Sequence, residues 1–419
     1  MFKTINEGFN WIVSFTNLEQ KTDLSKRGYR LDKMHRLLEL FDNPHKAYKI
    51  IHVAGSKGKG STCGFLASIL NSAGYKTGVY SSPHLLDYRE RITENHQFFT
   101  DNTYLSALNS IKEKIEVLKP KDLPGGEPTT FELLTLLAFM IFRQEGCEWV
   151  VLETGIGGRL DSTNVVNPVA SVITTIELEH TELLGETLEE IAYEKAGIIK
   201  RNRPTFASNN TASVSQVLNR KAVQENSKLI LLPKHYTIAI GSMGTVLNYE
   251  GNSYTVGLQG EVQGGNALLA LTTIKNLLPH ISQEILEIGL KNVSIPGRFH
   301  IIGNVILDGA HTKKSIISTI KTFKAIYGEG SIIFGAVLGK DIKAMVKEVN
   351  ENFNNIFISK PGNFKESNIK EIKELFHKLG KDTILIESAK EVLETAKQLG
   401  DPILVTGSFY MAGEIAKVL

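Results

Sequence analysis

The sequence predicts an α/β protein built on mainly parallel sheets, because strand-like and helix-like segments alternate over most of its 419 residues. Two further observations shape that expectation. Glycine-rich turns follow several of the apolar runs, and the chain is too long for one ordinary core, so two or three domains are expected. A net charge of +2 argues against a dominant nucleic-acid or membrane-surface role, and leaves room for a local basic pocket.

In the first part, apolar runs place strands over 49–54, 76–80, 149–153 and 169–176. Helical periodicity covers 61–72, 103–118, 130–145 and 188–199. The stretch 203–258 is more mixed, with a hairpin expected to turn at Glu250-Gly251-Asn252. Ser294-Ile295-Pro296-Gly297-Arg298 punctuates the chain, and a fresh alternation starts at Val305-Ile306-Leu307-Asp308. Later strands are expected over 331–337, 355–359, 383–386 and 402–406. The domains are therefore expected over 1–295 and 296–419, the second a smaller doubly wound unit.

Cys63 and Cys147 are the two cysteines, and their spacing indicates neither a disulfide framework nor zinc. The N-terminal residues lack a signal-peptide layout, and the longest apolar stretch, 131–142, is short for a membrane span and contains Glu132. A cytoplasmic location is the expectation.

The chemistry-bearing groups follow the apolar runs, where open α/β sheets bind ligands. Gly55-Ser56-Lys57-Gly58-Lys59-Gly60-Ser61 lies between a strand and a helix start. Free backbone N–H groups and the helix dipole make that an anion site, Lys59 adds charge, and Ser61 offers a hydroxyl for magnesium. The loop departs from Walker A: Val53 stands where that pattern begins with glycine, and Gly60 separates Lys59 from Ser61. Glu153 closes the run 149–153, where a magnesium-holding acid or a surface-turn glutamate fits equally. Glycines in Thr154-Gly155-Ile156-Gly157-Gly158-Arg159-Leu160-Asp161 allow close backbone approach to a ligand. His180, with Glu179 beside it, follows a third run. A lone histidine is more often an ordinary residue, and its place at a strand end gives a metal role its weight. Thr187-Leu188-Glu189-Glu190 has capping-box form, and Lys195 falls on the apolar stripe of the helix it opens. A lysine there either snorkels or is kept neutral and open to modification. Ser82 and Arg91 are further candidates, as magnesium ligand and carboxylate clamp, as are Asp308 and Thr406-Gly407-Ser408 at strand ends of the second domain.

Taken in order, these motifs resemble the folylpolyglutamate synthase/dihydrofolate synthase branch of the Mur ligase superfamily. The likeness runs through His52 to Ser61, Ser81-Ser82-Pro83-His84-Leu85, Thr130-Phe131-Glu132 and Leu152 to Asn164. It continues in Glu194-Lys195-Ala196-Gly197-Ile198, Pro296-Gly297-Arg298, Leu307-Asp308-Gly309-Ala310-His311 and Thr406 to Tyr410. The resemblance implies a P-loop ATPase domain followed by a Rossmann-like C-terminal domain. It also implies an ATP-dependent ligase that joins L-glutamate to dihydropteroate, to the glutamyl tail of a reduced folate, or to both. An acyl phosphate would be the intermediate.

Carried onto this sequence, Gly58, Lys59, Gly60 and Ser61 would hold the ATP phosphates, and Ser82 and Glu153 one Mg2+. His180 would ligate a second ion, bridged by a carbamoylated Lys195. Phe131 belongs to the pterin-side motif. Asn266, Arg298 and Asp308 would contact ATP across a domain cleft, and Arg91, His311 and Ser408 would surround the incoming glutamate. No nucleic-acid or membrane partner is implied, and a monomer is expected. The chain departs from the family at Ser56-Lys57 (usually Thr-Asn), Glu179 (usually Asp), Thr312 (usually Asn) and Val262 (usually His). These departures leave the metal ligands in place and bear on pteridine choice and on the electrostatics of the phosphate loop. Two other readings are a Mur-type ligase for peptidoglycan precursors, which usually carries an extra domain ahead of its phosphate loop, and a nucleotide-dependent switch without ligase activity.

Overall fold

A computed structural model describes residues 1–17, 31–119, 122–363 and 365–419. The chain forms two compact units. The first comprises Met1–His84, Tyr88–Lys234 and Asn266–Gly289, and the second Leu85–Asp87, His235–Gly265 and Leu290–Leu419.

The first unit is built on a seven-stranded sheet: β1 Lys49–Ala54, β2 Thr77–Tyr80, β3 Ile92–Glu94, β4 Trp149–Glu153, β5 Ala170–Ile173, β6 Thr205–Ala207 and β7 Leu229–Leu231. Its order is β3-β2-β4-β1-β5-β6-β7, parallel except for β3 at one edge. Parallel strands need crossovers, and the helices that supply them cover both faces. One face packs through Ile50, Val150 and Leu152 against apolar residues of helices Ile5–Ser14, Leu31–Leu40, Asp101–Val117 and Thr130–Gln144. On the other, Ala54 and Ile173 meet Ile191, Ala192, Val214 and Leu218 of helices Leu188–Ala196 and Ala212–Gln224. Helix Lys59–Ser72 is buried from Ser61 to Leu70.

Three sequence-based boundaries shift for local reasons. Helix 61–72 starts at Lys59, because the glycine loop winds directly into it with Gly58 as N-cap at φ 88°. Strand 169–176 ends at Ile173, where the chain turns under the phosphate loop and the Thr175 carbonyl accepts from the backbone N–H of Ser56 at 2.8 Å. Helix 188–199 ends at Ala196, because Gly197 packs flush against the Arg159 backbone.

The second unit contains two sheets. β8 Thr237–Gly241, β9 Gly244–Tyr249 and β10 Asn252–Val256 form an antiparallel meander. Its hairpin turns at Glu250 and Gly251, both at positive φ (49° and 75°), as a two-residue primed turn requires. The six-stranded sheet runs β11-β12-β16-β13-β14-β15 and is parallel except for β11. Its strands are β11 His300–Ile302, β12 Val305–Leu307, β13 Ser331–Phe334, β14 Asn355–Ile358, β15 Ile384–Leu385 and β16 Ile403–Thr406. Alternate residues face opposite layers. Ile306, Phe334 and Leu404 meet Phe323, Met345 and Phe376, whereas Leu307, Ile333 and Val405 meet Val392, Met411 and Ile415.

The expected division at 295/296 leaves residues 235–265 in the first domain, and their contacts group them with the second unit. The Gly257 N–H bonds to the Leu290 carbonyl at 2.9 Å, Gly264 lies under Ile238, and Lys321 pairs with Glu261 at 3.1 Å.

Candidate active site

Sheet order assembles the site of the first unit. β2, β4, β1 and β5 are consecutive neighbours, so the turns leaving their C-terminal ends lie side by side, spread over roughly 15 Å at the usual strand spacing. Those turns carry Ser82, Glu153, the loop Gly55–Ser61 and the Glu179-His180 pair.

At the phosphate loop, the N-terminus of helix Lys59–Ser72 has no side-chain cap, so its first N–H groups point outward without an internal acceptor. A Cβ on Gly58 would collide with the Asn266 side-chain oxygen, so only glycine lets that amide lie against the loop. Lys59 Nζ rests 3.0 Å from the Gly55 carbonyl.

Glu153 stands beside this loop. Its Oε2 accepts the Ser82 N–H at 3.3 Å and lies 3.5 Å from where a Cβ on Gly60 would sit. Burial pushes the Cys63 thiol well up, and the nearby Glu153 charge pushes the same way. The hydroxyls of Thr62 and Thr154 are buried without a hydrogen-bond partner. Among the described residues no three His, Cys, Asp or Glu side chains gather to cage a metal. A hydroxyl and a carboxylate beside a phosphate site fit magnesium, which usually keeps waters and takes substrate oxygens to complete its shell.

Lys195 is 1 % exposed, and its Nζ donates to the Gly55 carbonyl at 2.9 Å and to Glu179 Oε1 at 2.8 Å. The two ammonium groups of Lys59 and Lys195 thus share one carbonyl. Burial pushes the Lys195 pKa down to about 8, a shift the Glu179 carboxylate partly offsets. Burial raises Glu179, but the attraction of Lys195 and Lys59 outweighs it and holds the carboxyl below its usual range. His180, 42 % exposed at its side chain, caps the one-turn helix Thr181–Leu184 at φ 47°. Burial lowers its pKa against the pull of Glu179 and Glu182.

Phe131, in the first turn of helix Thr130–Gln144, sets its ring against Gly155 and lies 6.0 Å from the Tyr80 ring centroid. Arg91 is 2 % exposed: its Nε donates to His84 Nδ1 at 2.8 Å, and its guanidinium lies over the Tyr88 ring.

In the second unit, Asp308 accepts from Phe299 N at 2.9 Å, Ala310 N at 3.0 Å and Thr319 Oγ1 at 2.9 Å. Burial raises its pKa against the pull of those bonds and of Arg298. Arg298 lies over the Phe409 ring, and His311 Nδ1 donates to the Gly309 carbonyl at 2.8 Å. Ser408, expected near glutamate, is buried. Its hydroxyl donates to the Gly335 carbonyl and caps helix Phe409–Ala416 through Met411 N, so here it holds the helix start. Sequence reasoning missed His52, Asp161 and Thr163, which hold the turn after Glu153. The short Asp161-x-Thr163 spacing was the available signal.

Comparison with known proteins agrees with a chain of two domains, and keeps residues 235–265 with the first of them, as the expected boundary at 295/296 does. The Mur ligase middle domain matches residues 53–274, and the Mur ligase glutamate ligase domain matches 297–409. A dihydrofolate synthase/folylpolyglutamate synthase of Bacillus subtilis is 31 % identical over 100 % of both chains. The crystal structure of folylpolyglutamate synthase from Thermotoga maritima superposes with a TM-score of 0.85 at 28 % identity, covering 99 % of this chain and 96 % of that one. E. coli FolC in complex with DHPP and ADP gives a TM-score of 0.81 at 25 % identity, covering 99 % and 97 %. No helix among the described residues is long and apolar enough to cross a membrane.

Proposed function

Since this chain belongs to the Mur ligase family, in its folylpolyglutamate synthase/dihydrofolate synthase branch, we propose a specific division of labour among its residues. The chain is an ATP-dependent ligase that adds L-glutamate to dihydropteroate and/or to the glutamyl tail of a reduced folate. The observation that carries the assignment of residues is the convergence of Glu153, Ser82, the uncapped helix at Gly58–Ser61 and the Lys195–Glu179 pair on adjacent strand ends. The peptidoglycan-precursor and switch readings lack such support, because a relative that matches the whole chain is of the folate branch.

A carboxylate is a poor electrophile, so the γ-phosphoryl group moves from ATP to a carboxylate oxygen, giving an acyl phosphate and ADP. The glutamate α-amine then attacks the acyl carbon and expels phosphate. Backbone N–H groups of Gly58 to Ser61 receive phosphate oxygens, and Lys59 turns from the Gly55 carbonyl to the transferring group. Ser61, Ser82 and Glu153 would hold one magnesium ion, and His180 with a carbamate on Lys195 a second; when bound, the ions would supply charge neutralisation on the phosphate oxygens. The lowered pKa of Lys195 supports carbamoylation, because the neutral amine is the form that takes up CO2. Asn266 contributes to the ATP contact, with Arg298 and Asp308 from the second unit. Phe131 packs on the pteridine, and Arg91 and His311 contribute to glutamate binding. The scheme assigns these residues to a single copy of the chain, and we propose a monomer.

Lys59→Ala and Glu153→Ala test the assignment. Each should lose amide synthesis while keeping its circular dichroism and thermal transition. Near-normal turnover by either variant rejects it.

A further inference from the structure

A buried polar chain runs from the centre of the first sheet to the turn after Glu153. His52 in β1 is fully buried, and its Nε2 lies 2.8 Å from Thr163 Oγ1. That hydroxyl gives its one proton to Asp161 Oδ1 at 2.5 Å, so it accepts from His52, and the imidazole proton is on Nε2. Nδ1 is then bare, and it has no hydrogen-bond partner. Burial keeps the ring neutral, with its pKa pushed down to about 3. The other Asp161 oxygen accepts the backbone N–H groups of Gly155 at 3.0 Å and Ile156 at 3.1 Å, and Thr163 N adds a bond of 3.0 Å to Oδ1.

An orphaned nitrogen in a fully buried ring costs stability that an apolar side chain would not. What the histidine does provide is a donor that orients Thr163, and through it Asp161. Asp161 in turn pins a backbone turn that touches Phe131: a Cβ on Gly155 would sit 2.6 Å from Phe131 Cζ. The far side of the same segment is tied to the Lys195 helix by Arg159 N to the Glu194 carbonyl at 2.7 Å and by Asn164 Nδ2 to the Gly197 carbonyl at 3.1 Å.

We infer that His52 is a positioning residue that, through Thr163 and Asp161, fixes the Gly155–Ile156 backbone against Phe131 and so sets the wall that receives the pteridine ring. This rests on the folate-ligase reading above. The phosphate loop leaves the same strand but is held by other bonds, to Thr175, Glu177 and Lys195. Loss of the relay should therefore be felt by the pteridine substrate and spare the nucleotide.

Steady-state kinetics of His52→Leu, His52→Gln and Thr163→Val test it, with dihydropteroate or tetrahydrofolate as the pteridine. His52→Leu and the isosteric Thr163→Val should each raise KM for the pteridine about tenfold while KM for ATP stays within about twofold. In His52→Gln the amide nitrogen reaches the place of Nε2 and should restore the pteridine KM. A purely structural role would lower active fraction and leave the KM values together. The inference is overturned if pteridine KM is unchanged in both disrupting variants, if both KM values rise in step, or if glutamine rescues nothing. If His52→Leu does not fold, Thr163→Val carries the same prediction. An unaltered chain that turns over no pteridine with ATP and glutamate refutes the folate-ligase reading itself. Turnover without the KM split refutes the relay alone.

Discussion

Lys195→Met is expected to abolish ligation and to remove a dependence of stability on pH that runs in a defined direction. The ammonium is 1 % exposed, and its pKa falls from 10.5 to about 8, mainly through burial. Below pH 8 both folded and unfolded chains carry this proton, and the folded chain bears the cost of a buried charge. From pH 8 to 10.5 the folded chain has released the proton and the unfolded chain still holds it, so stability rises with pH across that window. The gap amounts to about 3 kcal/mol. Methionine has no such titration. In CO2-free buffer without divalent metal, urea unfolding across this range should show the unaltered chain gaining about 3 kcal/mol relative to Lys195→Met. A stability difference that is constant with pH, or that moves the other way, refutes the account of Lys195 as a strained, easily neutralised amine.

Other expectations follow from the same geometry. Gly58→Ala places a Cβ on a φ of 88° and into the Asn266 amide, so ATP affinity by calorimetry should fall by about tenfold or more; unchanged affinity contradicts the phosphate-loop geometry. Ser408→Ala removes a helix cap and should cost about 1 kcal/mol of stability with KM for glutamate unchanged. A raised glutamate KM would return that hydroxyl to the substrate. Lys195→Ala should lose activity and regain part of it when short carboxylic acids are added, since they can stand in for the carbamate oxygens; no recovery counts against the carbamate.

The parts of this molecule that are legible in sequence are those with local causes. β1 and β4 span the predicted residues because short apolar runs bounded by turns read directly as buried strands. The phosphate loop, Glu153 and Lys195 stand out because glycines, a terminal acid and a lysine on an apolar stripe each break the pattern around them. The relay does not stand out: a histidine inside an apolar strand reads as filler, and its partners lie 109 to 111 residues away along the chain. The ties of the 235–265 meander to Leu290 and to the helix bearing Lys321 do not stand out either, because they are non-local. Ser408 follows a strand as a ligand-binding serine would, and only the Met411 and Gly335 bonds assign it to a helix start.

The central claim is condensation of glutamate with a pteridine acid at the expense of ATP. The most direct measurement incubates the chain with labelled L-glutamate, ATP and magnesium, offering dihydropteroate and tetrahydrofolate in separate reactions, and weighs the products. A mass gain of one glutamyl residue or more on at least one acceptor, with ADP formed only when all three substrates are present, is the predicted result. ADP release that ignores glutamate and pteridine, with neither acceptor gaining mass, would contradict it.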